Sequence, residues 1–363
     1  MDPSQAFCHN TACPFYGQRG QGNIGIHSQA ERRYICHQCR KTFAATKGTP
    51  FYCLQHDHTL VTQVVTLLNH GCPPQAIVAA FDLDERTVMA WGQKAGEHSQ
   101  RFHQQQMATR PVDLQHVQAD ELYAKAVGQK LWLAMAMAVP SRLWLGGVVS
   151  AKRDLVLIRS LIAMVRTWAA SLAILVCVDG LASYVTAFVQ AFRQPQRTGR
   201  RGRPRLVLPP GFLMGQVIKS YAKRRLADVT RRAVVGTLAA IQRRLRQTGT
   251  GQQIHTSYIE RLNATFRAAL APLGRRSRAL LHQPVRLEAA VYLVGVAYNF
   301  CWAHDSLSQW APRTPAMAAG LTDHVWTMRE LLTYALPQAP ARTRPKRKRR
   351  KVTTHAPPPP LAA

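Results

Sequence analysis

His116-Val-Gln-Ala-Asp120-Glu-Leu-Tyr123 reads as a strand with an acid in its middle. It is answered by Ala173-Ile-Leu-Val-Cys-Val-Asp179-Gly180, an apolar run that ends on a second acid. Between and around them the pattern alternates sheet and helix. Strands are predicted over 114–123, 130–139 and 142–150, and a helix over 154–168, where Leu155, Ile158, Leu161, Ile162 and Val165 recur at helical spacing. After the Asp179 strand the spacing predicts a helix over 181–192 and strands over 215–222 and 226–235. A helix-like segment follows, Tyr258-Ile-Glu-Arg-Leu-Asn-Ala-Thr-Phe-Arg267, carrying Glu260. The expected fold class is therefore α/β.

Three meander strands, a helix, a strand and later helices form the order of an RNase H-like core. In such a core an acid on the first strand and one ending the fourth lie side by side, and a helix brings a third over them. That arrangement suits two divalent ions roughly 3.5–4 Å apart, which serve in-line displacement at phosphorus. Magnesium or manganese favours carboxylate and phosphate oxygens over thiols. Glu121 competes with Asp120 for the first position. Adjacent strand residues face opposite sides, so alternation turns Glu121 away from the pocket and predicts that its replacement is tolerated. On the Glu260 helix, Asn263 and Arg267 share a face, where they contact DNA beside the metals or form an ordinary solvated surface.

Acids are scarce. The 363 residues hold 18 Asp+Glu against 48 Lys+Arg, a formal net charge of +30. Such an excess points to a polyanionic partner. A membrane is the weaker choice, because the longest apolar stretch, around 131–149, is broken by Pro140, Ser141 and Arg142. Met1-Asp-Pro-Ser shows no basic region followed by an apolar one, so a cytoplasmic, nucleoid-associated location is expected.

Residues 1–50 read as a zinc ribbon. Cys8-x4-Cys13 and Cys36-x2-Cys39 place paired thiolates on two tight knuckles, able to enclose one zinc ion. His9, His27 or His37 could replace one of them. Cys53, His56 and His58 form either a second site or a capping loop. Residues 51–108 read as a helix-turn-helix. Pro73 and Pro74 open a helix that runs to Phe81, Asp82-Leu-Asp84 turns the chain, and a further helix begins at Glu85. Arg86, Thr87 and Lys94 on that helix suit major-groove reading, and a small helical bundle is the alternative.

The chain resembles transposases of the IS1-like insertion-sequence group, of the DDE class. The resemblance rests on Asp120-Glu-Leu-Tyr-Ala-Lys125, Val178-Asp-Gly-Leu-Ala-Ser-Tyr184, Thr256-Ser-Tyr-Ile-Glu-Arg-Leu-Asn-Ala-Thr-Phe-Arg267 and Arg313-Thr-Pro-Ala-Met-Ala-Ala-Gly-Leu321, and spans roughly residues 5 to 335. It implies that Asp120, Asp179 and Glu260 are a catalytic, magnesium-binding triad. It further implies that the protein binds the terminal inverted repeats of its own element and target DNA, acting as a homo-oligomer on double-stranded DNA. A non-catalytic DNA-binding regulator descended from such an enzyme is the alternative, and the intact acid triad favours the enzyme.

The catalytic domain is expected over 109–305, with a basic insertion around 193–250. Within it Arg201-Gly-Arg-Pro204 resembles the core of an AT-hook, so Arg201 and Arg203 are candidate minor-groove or phosphate contacts. A helical segment over 306–336 and a disordered tail over 337–363 complete the chain. Pro345-Lys-Arg-Lys-Arg-Arg-Lys351 in that tail resembles a nuclear-import signal and reads here as a non-specific DNA-binding element.

Overall fold

The Asp120 strand sits in the middle of a six-stranded mixed sheet, covered on both faces. The computed structural model describes residues 1–337 apart from 198, 200, 201, 224, 276–279, 282 and 309. Residues 338–363 therefore lie outside the described residues, as does Arg201. The described residues divide into two compact units, Met1–Ala45 with Pro337, and Thr46–Leu336.

The first unit holds an antiparallel three-stranded sheet, β1 (Ile24–Ser28), β2 (Arg33–Cys36) and β3 (Thr42–Ala44). Its core is only Cys8, Cys13, Ile24, Tyr34, Cys36 and Phe43, with a few partly buried neighbours. So small an apolar cluster is a weak basis for stability by itself.

The second unit opens with three helices, α1 (His58–Asn69), α2 (Pro74–Phe81) and α3 (Glu85–Thr109). Asp57 caps α1 by accepting from the Thr59 and Leu60 amides at 3.0 and 3.1 Å. Asp82 takes a left-handed conformation, φ 50°, and ends α2. Asp84 then accepts from the Arg86 and Thr87 amides at 2.8 and 3.3 Å, starting α3 where the turn residues predict.

The central sheet comprises β4 (His116–Ala126), β5 (Gln129–Ala138), β6 (Leu143–Ser150), β7 (Leu175–Asp179), β10 (Leu213–Ala222) and β11 (Arg225–Val235). A separate ribbon is made of β8 (Gln194–Gln196) and β9 (Arg205–Val207). The spatial order is β11-β10-β7-β4-β5-β6. Strands β4, β5 and β6 run antiparallel, β7 is parallel to β4, β10 is parallel to β7, and β11 returns antiparallel. The crossover from β6 to β7 passes through α4 (Leu155–Trp168), which presents Leu157, Ile158, Leu161, Ile162 and Val165 to the core. Helix α5 (Ala182–Phe192) packs on α4, and α6 (Leu238–Gln247) packs on β10 and β11. Helix α7 (Ser257–Ala269) lies on β4 and β5, and α8 (Pro284–Phe300) on α3 and β6. Two short helices follow, α9 (Pro315–Ala318) and α10 (Met328–Thr333).

Two features of the fold bear on the expected bounds. The boundary drawn between 108 and 109 falls within the last turn of α3, and this helix belongs to both neighbouring cores. Val88, Trp91 and Ala95 join the small cluster of α1 and α2. Phe102 enters the main core, with its ring 5.1 Å from Phe300 and 5.2 Å from Tyr334. Gly96 permits the contact with α8, since a Cβ there would lie 2.3 Å from the Ala289 carbonyl oxygen. The segment 193–250 is also more than an insertion. It supplies β10 and β11, because β7 would otherwise leave a row of unpaired backbone groups at an open sheet edge.

No helix among the described residues is long and apolar enough to cross a membrane.

Candidate functional site

The four cysteines of the first unit form one cluster, with their sulfurs all within 4.8 Å of one another. Cys8 and Cys39 sulfurs are 3.6 Å apart, and those of Cys13 and Cys36 are 4.0 Å apart. A tetrahedron with Zn–S bonds of about 2.3 Å has sulfur–sulfur edges of roughly 3.8 Å, so the donor set fits zinc. The Asn23 side-chain amide donates to Cys36 Sγ at 3.3 Å and the Asn10 amide to Cys8 Sγ at 3.5 Å, outer contacts of the kind that orient thiolates. Burial pushes the Cys39 thiol up, but donors from the Lys41 amide and Asn10, with the neighbouring thiols, bring it down to about 6. No histidine joins this group among the described residues. Cys53, His56 and His58 form no such group there either. His58 stacks on Phe51 at 4.4 Å and His56 meets the edge of Trp91 at 5.0 Å, as a capping loop would.

The second site is an open cleft of about 450 Å³ at the end of β7. Asp120, Asp179, Glu260, Arg153, Lys219 and Thr256 are among its lining residues. The β4–β7 register pairs Ala119 with Val178, which sets Asp120 and Asp179 side by side on neighbouring strands. Asp120 Oδ2 accepts from Asn263 Nδ2 at 2.7 Å and its Oδ1 from the Glu121 amide at 2.8 Å. Asp179 Oδ1 accepts from the Leu181 amide at 3.0 Å. Glu260, in the first turn of α7, is held by Lys219 Nζ at 2.7 Å and Thr256 Oγ1 at 3.0 Å.

Gln118 joins the parts. Its side-chain carbonyl accepts from the Tyr258 and Ile259 amides at 3.1 and 3.0 Å, and its amide donates to the His255 carbonyl at 2.7 Å. A residue two places before Asp120 thus caps the helix that carries Glu260, where Thr256 gives no side-chain cap. Sequence reading missed it, because a glutamine in a strand pattern gives no sign of a helix end elsewhere in the chain.

The acids that come closest differ from those expected. Oxygens of Asp120, Glu121 and Asp179 lie within 4.8 Å of one another and could hold a divalent cation, and Glu260 stands outside this group. Glu121 is not turned away from the site. The β4–β7 ladder ends at Ala119 and Val178, so past that point this edge of β4 is open and the Glu121 carboxylate comes within reach of Asp120 and Asp179 there. Asn263 also differs from both of its expected roles. It is 1% exposed, neither solvated nor open to DNA, and it holds Asp120 in place. Arg267 is half-buried, and its charge acts on Asp120. Arg86 and Lys94 are exposed on α3, Thr87 is half-buried, and Arg203 is exposed beside the β8–β9 ribbon.

Electrostatics follow from the crowding. Burial first, and then the charge of Glu121, push the Asp120 carboxyl up to about 7, with Asp179 and Glu260 adding to the effect. Burial likewise raises Asp179. Burial opposes ionisation of Glu260, but the bonds from Lys219 and Thr256 outweigh it and the group is lowered.

A sign follows for Asp120. The unfolded chain releases this proton near the ordinary 3.8, and the folded chain only near about 7. The metal-free fold therefore loses stability as pH rises between those values. The same proton opposes a cation. Mn²⁺ affinity of the full chain is expected to rise with pH up to about 7 and then level off. Calorimetric titration across this range measures it, and an affinity independent of pH would rule the expectation out.

No protein-family model matches this sequence, and no curated protein matches it.

Proposed function

We propose that the protein is a DNA transposase that binds the terminal repeats of its own element and carries out metal-dependent strand cleavage and strand transfer. The observation that carries this reading is the convergence of Asp120, Asp179 and Glu260. They come from β4, β7 and α7 to line one cleft in a chain of net charge +30. A polyanion-binding surface with a local acidic pocket suits phosphodiester chemistry. The strand order also agrees with an RNase H-like core. Three antiparallel strands come first, with β7 parallel to the first of them and β10 parallel beyond it.

Each group has a task in this reading. Asp120, Asp179 and Glu260 would hold Mg²⁺ or Mn²⁺, which when bound supplies charge to the attacking and leaving oxygens. Asn263 fixes the Asp120 carboxylate, and the Leu181 amide fixes that of Asp179. Lys219 pairs with Glu260 at 2.7 Å and fixes its carboxylate. Arg86, Thr87 and Lys94 on α3, together with Arg203, Arg267 and Arg201, would meet DNA, and the zinc ribbon would bind DNA as well. The protein would act as a homo-oligomer on DNA.

The test uses the full chain, Mg²⁺ or Mn²⁺, and duplexes carrying the DNA that flanks its own gene. Cleavage at a fixed boundary, absent from scrambled duplexes, is expected. Tight sequence-selective binding without any cleavage would replace the enzyme with a DNA-binding regulator.

A further inference from the structure

Arg153 stands in the wall of the acidic cleft, just before α4, and its setting is unlike that of a surface arginine. Its Nε donates to Glu121 Oε1 at 2.6 Å, and one terminal nitrogen donates to the same oxygen. The other oxygen of Glu121 accepts from the Tyr184 hydroxyl at 2.8 Å, and Tyr184 is fully buried. The guanidinium lies 5.1 Å from the centre of the Trp132 ring. The side chain of Glu121 is 1% exposed and that of Arg153 is 40% exposed. The pair therefore has a fixed, buried end and an open end on the cleft.

A carboxylate offers about four acceptor positions, and three of those on Glu121 are occupied by these donors. Of the five guanidinium N–H groups, those not directed at Glu121 make no other hydrogen bond among the described residues. A planar cation with donors to spare, stacked on an aromatic ring and held from behind, matches a phosphate oxygen. Beside bound divalent metal it would be repelled unless an anion lay between them.

We propose that Arg153 binds a non-bridging oxygen of the DNA phosphate lying across Asp120 and Asp179, and that Glu121 is its positioning residue, not a metal ligand. This rests on the transposase reading. It also separates Glu121 from the cluster in which proximity alone would include it, leaving Glu260 as the third acid.

The test compares full-length wild type with Arg153→Ala, Arg153→Lys, Glu121→Gln and the double variant Glu121→Gln/Arg153→Ala. The first readout is Mn²⁺ binding without DNA, followed by electron paramagnetic resonance of the free ion. Glu121→Gln should lose no affinity, whereas Asp120→Asn should lose about tenfold or more. The second readout is single-turnover cleavage of the flanking-DNA duplex. Arg153→Ala and Glu121→Gln should each be slower by about 100-fold, and the double variant no slower than either. Arg153→Lys should recover only part of the rate, since an ammonium cannot grip two oxygens in a plane. With a neutral methylphosphonate at the scissile position, Arg153→Ala should cost nothing further. Arg153→Ala leaves the buried Glu121 carboxylate without its cation and should melt lower than the wild type, so rates are compared well below the melting temperature, and the double variant, which removes both charges, serves as the control for folding. An active wild type matched by Arg153→Ala would overturn the inference and leave the transposase reading standing. Loss of Mn²⁺ by Glu121→Gln equal to that of Asp120→Asn would overturn it as well. A wild type that cuts nothing would overturn both.

Discussion

Asp120→Asn, Asp179→Asn and Glu260→Gln are each expected to lower DNA cleavage by at least about 10²–10³-fold, the loss seen when one preorganised electrostatic group is removed. The structure gives each its reason. Asp120 and Asp179 sit side by side by strand register, with their carboxylates fixed by Asn263 and the Leu181 amide. Glu260 is brought to the same cleft by a helix whose first turn is capped by Gln118. Each change keeps the size of the side chain and removes one negative charge, so the fold and the DNA affinity should persist. Cleavage of a flanking-DNA duplex, beside a binding measurement on the same duplex, separates the two effects. A variant that cuts at the wild-type rate would remove its residue from the triad.

Removal of zinc is expected to unfold residues Met1–Ala45 and leave Thr46–Leu336 folded. The first unit has a core of six residues, three of them cysteines, whereas the second has a large contiguous core. Zinc held by four thiolates contributes about 10–16 kcal/mol at neutral pH in small domains of this kind. No apolar cluster of this size makes up such a loss. Cys36→Ser removes the most deeply buried of the four sulfurs, together with its bond from Asn23. Elemental analysis should give about one zinc per wild-type chain and far less for the variant. Limited trypsin digestion of the variant should then cut within residues 1–45, at sites protected in the wild type. Less than about half an equivalent of zinc in the wild type, or an unchanged content in Cys36→Ser, would remove the site.

How much of this was legible in the sequence depended on where each signal lay. The strands β5 to β7 are largely apolar runs bounded by turn residues, β4 mixes apolar and polar residues, and the limits of all four fall within a few residues of those expected. The cysteine spacing was equally direct, because ligand geometry leaves little freedom. Both failures at the acidic cleft have a common origin. Glu121 still pairs with Ala134 of β5, but β4 loses β7 beyond Ala119 and Val178, and at that open edge carboxylates from neighbouring positions of β4 come within reach of Asp179, which a one-dimensional pattern does not show. Asn263 and Gln118 look like surface polarity in one dimension, and only the packing of α7 on β4 gives them buried partners. The length of α3 was hidden for a similar reason. Past Trp91 the sequence turns polar, yet His98, Ser99, His103 and Gln106 are buried against other elements. Hydrophobic periodicity cannot register a face made of such residues.

The single rod of α3 sets a distance. Its 25 residues correspond to roughly 37 Å of helix, with the Arg86 end at the amino-terminal helices and the Phe102 end fixed in the main core around the central sheet. Gly96 lets that rod lie against α8 so closely that it has little room to slide or roll. Whatever the outer end of α3 grips is thereby carried at a constant offset from Asp120. A protein built in this way measures with a ruler. On the transposase reading, the distance from a gripped base to the acidic cleft would then be set by the number of residues in one helix.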